Sequence, residues 1–189
     1  MSRITDLTAS SSLAGGDLTV VVDIDDATMD ATGTDKKLAI SDLATFIRGV
    51  TASAVAKPGN PAATASTTLV MMGLGGTCQI TPSSTGKVQV ILSGEVFTAT
   101  AAVVATFGGR FGTGAAPVSG AAVTGTRFGS AADLTAQSAV ITAGVPFTLP
   151  DLLTLTPGTA YWFDLAVKTA NAADAADFYA LSFLAVEVA

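Results

Sequence analysis

The segment Thr156-Pro157-Gly158-Thr159-Ala160-Tyr161-Trp162-Phe163-Asp164-Leu165-Ala166-Val167-Lys168-Thr169 gives the clearest structural signal in the chain. Pro157 and Gly158 suit a type II turn, because proline fixes φ at about −65° and glycine accepts a positive φ at the next position. The side chains that follow alternate in polarity, which predicts a β-strand. Its buried face would carry Tyr161, Phe163, Leu165 and Val167. Its other face, expected to be partly solvated, would carry Trp162, Asp164, Ala166 and Lys168.

Similar short β-type runs recur along the second part of the chain, separated by clusters of turn-forming residues. Strands are predicted near residues 68–73, 77–81, 87–93, 103–110, 120–128, 139–149, 160–169 and 178–188. No stretch of ten or more residues in this part has a convincing helical period. The sequence therefore predicts a mainly β protein, with an antiparallel β-sandwich of jelly-roll type over residues 67–189.

The N-terminal part has a different composition, with most of the acidic residues of the chain. Leu18 to Val22 predicts a short strand, and Ser41 can cap a short helix that carries Leu43 and Phe46. Residues 54–66 are small and contain prolines, which is typical of a linker. We therefore expect an N-terminal strand-turn-helix segment at 1–53, a linker at 54–66 and the sandwich at 67–189.

The overall composition excludes several function classes. Charged residues make up 13% of the chain, against roughly 25% in ordinary soluble domains, so homo-oligomerisation is expected to cover part of the surface. A net charge of −6 argues against nucleic-acid binding. The chain has no histidine, which removes the usual imidazole bases and metal ligands. The single cysteine, Cys78, lacks a neighbour that would generate a thiolate and is expected in the core.

No cofactor or metal site is predicted from the motifs. The acidic run from Asp23 to Asp30 departs from a calcium loop at Ala27, Thr28 and Thr34. The glycine-rich runs at 73–76 and 108–112 lack the context of a phosphate-binding loop. The uncharged run at 58–86 is interrupted by prolines and glycines, so no membrane span is expected. The N-terminus has no secretory pattern, and synthesis and assembly in the cytoplasm are expected.

Carboxylate pairs are the remaining candidates for catalysis. Beyond the linker the acidic residues are Glu95, Asp133, Asp151, Asp164, Asp174, Asp177 and Glu187. Nothing in their spacing places two of them on opposite sides of a sugar ring. The chain is therefore expected not to be an enzyme, with a glycan-cleaving enzyme kept as a remote alternative.

Two regions of the chain resemble tailed-bacteriophage virion proteins. The first contains Ile4-Thr5-Asp6-Leu7, Gly16-Asp17-Leu18, Val21-Val22-Asp23, Thr32-Gly33-Thr34-Asp35-Lys36-Lys37-Leu38 and Ser41-Asp42-Leu43. It is similar to a short docking module at the start of phage fibres and decoration proteins. The second contains Gly112-Thr113-Gly114-Ala115-Ala116-Pro117, Gly120-Ala121-Ala122, the segment Leu155 to Leu165 and Val186-Glu187-Val188. It resembles the β-sandwich head of those proteins, which usually assembles as a trimer.

The resemblance implies a homotrimeric capsid decoration protein, cement protein or short head fibre on the capsid surface, with the major capsid protein or other virion proteins as partners. The implied anchoring residues are Leu18, Val20, Val22, Asp23, Lys36, Lys37, Leu43 and Phe46. Trp162 and Ala166, on the second face of the aromatic strand, are the candidate subunit contacts. The alternative is a tail fibre or baseplate tip, with loops at Phe111 to Gly120 and Asn171 to Asp177 contacting a host-surface glycan or protein.

Overall fold

The computed structural model describes residues 52–98, 103–137 and 143–188 in full, and the backbone of residues 18–23 and 34–39. The chain divides into two compact units, residues 1–50 and residues 51–189. In the first unit, strand β1 (Leu18–Asp23) pairs antiparallel with strand β2 (Thr34–Ala39). Strand β1 was predicted and β2 was not. The helix predicted after Ser41 lies outside the described residues.

The second unit is built from strands, which confirms the predicted mainly β class. They are β3 (Ser53–Ala56), β4 (Val70–Met71), β5 (Gln79–Ile80), β6 (Lys87–Thr98), β7 (Val104–Thr113), β8 (Thr126–Phe128), β9 (Leu134–Gln137), β10 (Val145–Thr154), β11 (Tyr161–Thr169) and β12 (Ala176–Glu187). A single 3-10 turn at Leu74–Gly76 joins β4 to β5 in the described part of the chain. The predicted turn before β11 is present, because Gly158 has a φ of 76°.

Two antiparallel sheets form the sandwich. The four-stranded sheet has the order β10-β6-β12-β3, and the six-stranded sheet has the order β4-β11-β7-β8, with β5 also on β11 and β9 also on β7. Strands β4 and β5 pair with different parts of β11, so they act as one interrupted strand, and β8 and β9 do the same along β7. Counted in this way, eight strands form two four-stranded layers, and consecutive strands change layer except at β7 and the β8–β9 strand, which pair within one sheet. This is jelly-roll topology.

The core lies between the facing sides of the two sheets. Phe163 is fully buried at its centre. Its ring lies 5.9 Å from that of Phe111, 5.5 Å from that of Phe128 and 5.2 Å from that of Phe183, measured between ring centroids. These distances are typical of favourable aromatic pairs. The alternation predicted for β11 therefore places Phe163, with Leu165 and Val167, in the core as expected, while Tyr161 is half-buried at the edge.

The first residues of the predicted linker at 54–66 belong to a strand instead. Residues 53–56 form the edge strand β3, which pairs with β12 from Phe183 to Val186. Farther along, the backbone amide of Thr64 donates to the carbonyl of Ala176 over 3.0 Å. The strand was missed because its inward residues, Ala54 and Ala56, are too small to give a clear hydrophobic alternation. Strand β9 was missed as well.

Replacing Phe163 with alanine should destabilise the sandwich by about 3–5 kcal/mol, because the change leaves a cavity among three aromatic rings. Urea unfolding followed by tryptophan fluorescence would measure the loss. Val123→Ala, at an exposed position, is the control and should change stability by less than about 0.5 kcal/mol. A similar loss for both variants would contradict this description of the core.

Candidate interaction surface

The outer side of the six-stranded sheet, predicted to be partly solvated, is covered by the chain itself. Trp162 is 4% exposed and Ala166 is fully buried. Both pack with Met71 beneath partly buried side chains that include Ala116 and Ala121. The prediction that Trp162 and Ala166 contact another subunit therefore does not hold, because residues of the same chain already occupy that space.

The covering segment, which we call the flap, consists of residues 114–125 between β7 and β8. The amide of Met71 donates to the carbonyl of Ala121 over 2.9 Å, and the amide of Gly120 donates to the carbonyl of Met71 over 2.8 Å. The indole Nε1 of Trp162 donates to the carbonyl of Thr113 over 3.2 Å. The flap therefore extends the edge of the sheet beside β4 and closes over the tryptophan. Every residue of the flap is uncharged.

Asp164 holds the turn at residues 73–76 against the same side of the sheet. Its Oδ1 accepts hydrogen bonds from the amides of Leu74 at 3.0 Å and Leu165 at 2.7 Å, and its Oδ2 accepts one from Gly73 at 3.0 Å. Burial raises the pKa of Asp164 above its usual range, although these amide hydrogen bonds oppose the shift. The carboxylate serves as an acceptor for loop backbone.

Glu187 plays a similar part at the end of β12, where it is 1% exposed. Its carboxylate accepts hydrogen bonds from backbone amides of Ser83, Gly86, Ser84 and Ala52 at 2.8, 2.7, 2.8 and 3.3 Å. Loss of water alone would raise the pKa of Glu187, but these hydrogen bonds outweigh it and hold the pKa well below its usual range. The side chain therefore joins the β5–β6 loop to the start of β3.

Two further carboxylates also have partners within the sandwich. Asp133 accepts from Arg110 and from Arg127, each at 3.0 Å. Asp151 accepts from the amide of Gly129 at 2.9 Å. Among the described residues, no group of three His, Cys, Asp or Glu side chains is arranged to hold a metal ion. Asp133, Asp151, Asp164 and Glu187 are thus hydrogen-bonded to backbone amides or to arginine.

The outer side of the four-stranded sheet, which we call the open face, is different. The strand registers align three uncharged rows across it: Thr148, Ser93 and Ser182; Pro150, Ile91, Leu184 and Val55; and Leu152, Gln89, Val186 and Ser53. All of these side chains are exposed or half-buried. Contiguous exposed surfaces with apolar side chains often mark interaction sites.

The borders of the open face are more polar. The charged side chains that β6 and β12 direct to this side are Lys87 at one end and Glu95 and Asp177 at the other. Near Glu95, the rings of Phe97 and Tyr179 meet edge to face with their centroids 5.1 Å apart. A cleft of about 400 Å³ opens near the Lys87 end, lined by Gln89, Pro150, Asp151, Leu152 and Val188. An apolar centre within a polar rim is the usual anatomy of a protein interface.

The sequence contained a signal for this surface. On β6, polar residues alternate with buried valines until Ile91 occupies an outward position, and on β10 Pro150 and Leu152 do the same. Apolar residues on both sides of a strand predict that both sides are covered. The same pattern on β11 led to the wrong subunit contact, because sequence alone does not show whether the covering segment belongs to the same chain.

The predicted anchoring residues fall in the first unit. Leu18, Val20, Val22 and Asp23 lie in β1, and Lys36 and Lys37 lie in β2. The register places Val20 opposite Lys37 and Val22 opposite Asp35. Leu43 and Phe46 lie outside the described residues. Their anchoring role stays a prediction.

The two loops predicted for receptor binding lie at opposite ends of the sandwich. Residues 111–120 include the last residues of β7, which pair with the start of β11, whereas residues 171–177 run from the end of β11 into β12. The nine residues of β11 separate them by about 30 Å. The two loops therefore do not form one binding site within a single chain.

Comparison with known proteins adds little to this description of the surface. No family model matches the chain, and no curated protein matches it. Among solved structures, the chain is similar to one described as "Structure of infectious bursal disease virus Gx strain", with 12% identity and a TM-score of 0.41. The similarity covers 97% of this chain and 40% of that chain. A TM-score at this level carries no argument about function. Within the described residues, no helix has the length and apolar character needed to cross a bilayer.

Cys78 should be unreactive in the folded protein. It is fully buried, and burial, together with the nearby charge of Asp164, raises the pKa of its thiol to about 12. A thiol reagent such as Ellman's should therefore modify no cysteine under native conditions and one per chain in urea. Rapid native modification would contradict the core assignment.

Glu187→Gln should lower the urea midpoint at about pH 7, since an amide cannot accept hydrogen bonds at both positions. The folded pKa of Glu187 lies below its unfolded value of 4.5, so its stabilisation is present above that pH and is lost as pH falls. The difference between wild type and variant should therefore shrink at about pH 3. Glu95→Gln is the matched control and should have little effect at neutral pH. An equal difference at both pH values would contradict this role of Glu187.

Proposed function

We propose that the chain is a virion structural protein: a homotrimer that decorates or cements a phage capsid, or forms a short head fibre, and that docks through residues 1–53. The observation that carries the proposal is the open face. An uncharged sheet face that one chain leaves exposed is suited to contact with other subunits or with the capsid surface.

The fold supports the proposal by analogy. Jelly rolls occur in viral capsid proteins, lectins and cupins. The histidine ligands that a metal-binding cupin would use are absent from this sequence. A lectin-like site built from the two predicted loops is disfavoured by their separation along β11. A structural role agrees with the resemblance of residues 4–43 and 112–188 to phage virion proteins.

In this role the protein would act by burying its surface against neighbouring proteins of the virion. Contacts between subunits would bury apolar sheet surface, and the N-terminal segments would tie the trimer to the major capsid protein or to other virion proteins. No cofactor, nucleic acid, membrane or catalytic step is part of the proposal. The protein would be found on the capsid surface after assembly in the host cytoplasm.

Quantitative mass spectrometry of purified virions should find hundreds of copies of this chain per particle. Capsid surfaces offer many equivalent positions, whereas a tail tip offers only a few. A count of a few copies would reject the capsid location and favour the alternative, a tail fibre or baseplate tip that binds a host receptor.

Deleting residues 1–50 should leave a folded protein that no longer joins the virion, because residues 51–189 form a compact unit with their own core. Circular dichroism and urea unfolding would check the fold, and immunoblotting of purified particles would check incorporation. Incorporation of the truncated chain at the wild-type level would refute the docking role of the N-terminal segment.

A further inference from the structure

Two carboxylates on the outer side of the four-stranded sheet lack the partners that the loop carboxylates have. Glu95 lies on β6 and Asp177 lies on β12, and both side chains are half-buried. Within the described part of the chain the ion pairs are made by Asp133, and neither Glu95 nor Asp177 accepts a hydrogen bond from another described residue. The sandwich therefore leaves two negative charges unneutralised at one end of this sheet.

The strand register brings these two charges close together. Glu95 lies opposite Tyr179, and Asp177 lies opposite Phe97. Glu95 and Asp177 are thus diagonal neighbours on one side of the sheet, a relation that places residues about 7–8 Å apart. Like charges at this separation repel each other, and a cation placed between them would be attracted by both.

Two aromatic rings complete this arrangement, which we call the acidic patch: Glu95, Phe97, Asp177 and Tyr179. The two rings meet edge to face with their centroids 5.1 Å apart, and Tyr179 is 41% exposed. A Cβ at Gly144 would lie 2.6 Å from the Phe97 ring and 2.7 Å from Oε2 of Glu95, which is too close for both. The absence of a side chain at Gly144 therefore lets the ring and the carboxylate lie side by side.

We propose that the acidic patch binds a basic side chain of a partner protein, with arginine as the best fit. The inference goes beyond the proposed virion role, because it names a recognition chemistry that does not depend on where the protein is located. A cation attracted by two carboxylates can also lie against an aromatic ring, whose face carries partial negative charge. All four side chains of the patch would then contribute to binding one group.

The arrangement favours an organic cation over a metal ion. Calcium takes six or more oxygen ligands, whereas the described residues offer no group of three side chains that could hold a metal. The ring of Phe97 supplies no ligand atom at all. A guanidinium group, in contrast, is planar, donates hydrogen bonds to carboxylates and stacks on aromatic faces. Lysine would supply the charge without the planar stacking.

The rest of the sandwich does not supply this cation. The stretches 99–102 and 138–142, which border β6 and β10 in sequence, contain no ionisable side chain. Lys87 lies at the other end of β6, about 26 Å from Glu95 along the strand. Both arginines of the six-stranded sheet are paired with Asp133. The patch is therefore complementary in charge to a basic segment of another molecule.

The two tyrosines of the chain provide an assay with an internal control. The full chain labelled with 3-fluorotyrosine should give two ¹⁹F NMR signals, one from Tyr179 in the patch and one from Tyr161 in the other sheet. The probe is Nα-acetyl-arginine methylamide, titrated into the tens-of-millimolar range at constant ionic strength because such contacts are individually weak. The Tyr179 signal should shift to saturation while the Tyr161 signal stays fixed. Nα-acetyl-citrulline methylamide, an uncharged analogue of similar shape, should shift neither signal.

Two variants locate the binding. The patch variant carries Glu95→Gln and Asp177→Asn, which keep the size of both side chains and remove their charge. Its affinity for the arginine probe should fall at least about fivefold, because two ion pairs are lost. The control variant carries Asp6→Asn and Asp17→Asn, which change the net charge equally within the N-terminal unit, and it should bind like the wild type. An unchanged Tyr161 signal would show that the sandwich of each variant is folded.

Three results would overturn the proposal. They are equal shifts with the arginine and citrulline probes, equal affinities of the patch variant and the wild type, and a wild-type Tyr179 signal that does not respond to arginine. The last result is expected if a cation of residues 1–50 or of a second copy already occupies the patch. The assay uses purified protein and does not depend on copy number in virions, so this inference and the proposed function can fail separately.

Discussion

The pairing of β11 with β7 is the constraint on which the rest of the sandwich depends. Nine consecutive residues, from Tyr161 to Thr169, pair with Thr113 to Ala105. This pairing places Phe163 against both sheets and fixes Trp162 and Asp164 on the outer side. Because that outer side is apolar and carries a buried carboxylate, it has to be covered, and the flap and the turn at residues 73–76 cover it. The only tryptophan of the chain thus lies in a second small core outside the main one.

Buried acidic side chains hold two loops of the sandwich in place. Asp164 and Glu187 are both buried and both accept backbone amides, yet their pKa values shift in opposite directions. At Asp164 the cost of burial outweighs the hydrogen bonds, whereas at Glu187 the hydrogen bonds from four amides outweigh the burial. Each carboxylate satisfies donors that a loop would otherwise have to expose to water. This use of carboxylates accounts for acidic residues that a sequence comparison with hydrolases would have counted as candidate catalysts.

The β-sandwich class could be predicted from the sequence because turn clusters separate the strands and because β11 alternates strongly. The position of every predicted strand from residue 68 onward overlaps a strand of the structure. Strand β3 could not be predicted, since its inward residues are alanines, and neither could the covering of Trp162, since that depends on a loop remote in sequence. The open face was missed for a related reason. Its central apolar row is assembled from four strands, and only the register brings Pro150, Ile91, Leu184 and Val55 into line.

The hydrogen bonds of Glu187 also determine how mechanical load would enter the sandwich. The backbone that leads from residues 1–50 reaches the second unit at Ala52, whose amide donates to the Glu187 carboxylate. Just beyond it, β3 lies along β12, so a force applied along β3 would pull it parallel to its own hydrogen-bonded neighbour. Several hydrogen bonds would then be sheared together rather than opened one at a time. The carboxylate also binds the β5–β6 loop, so a single buried glutamate would pass part of a load applied at Ala52 to a second segment of the sandwich.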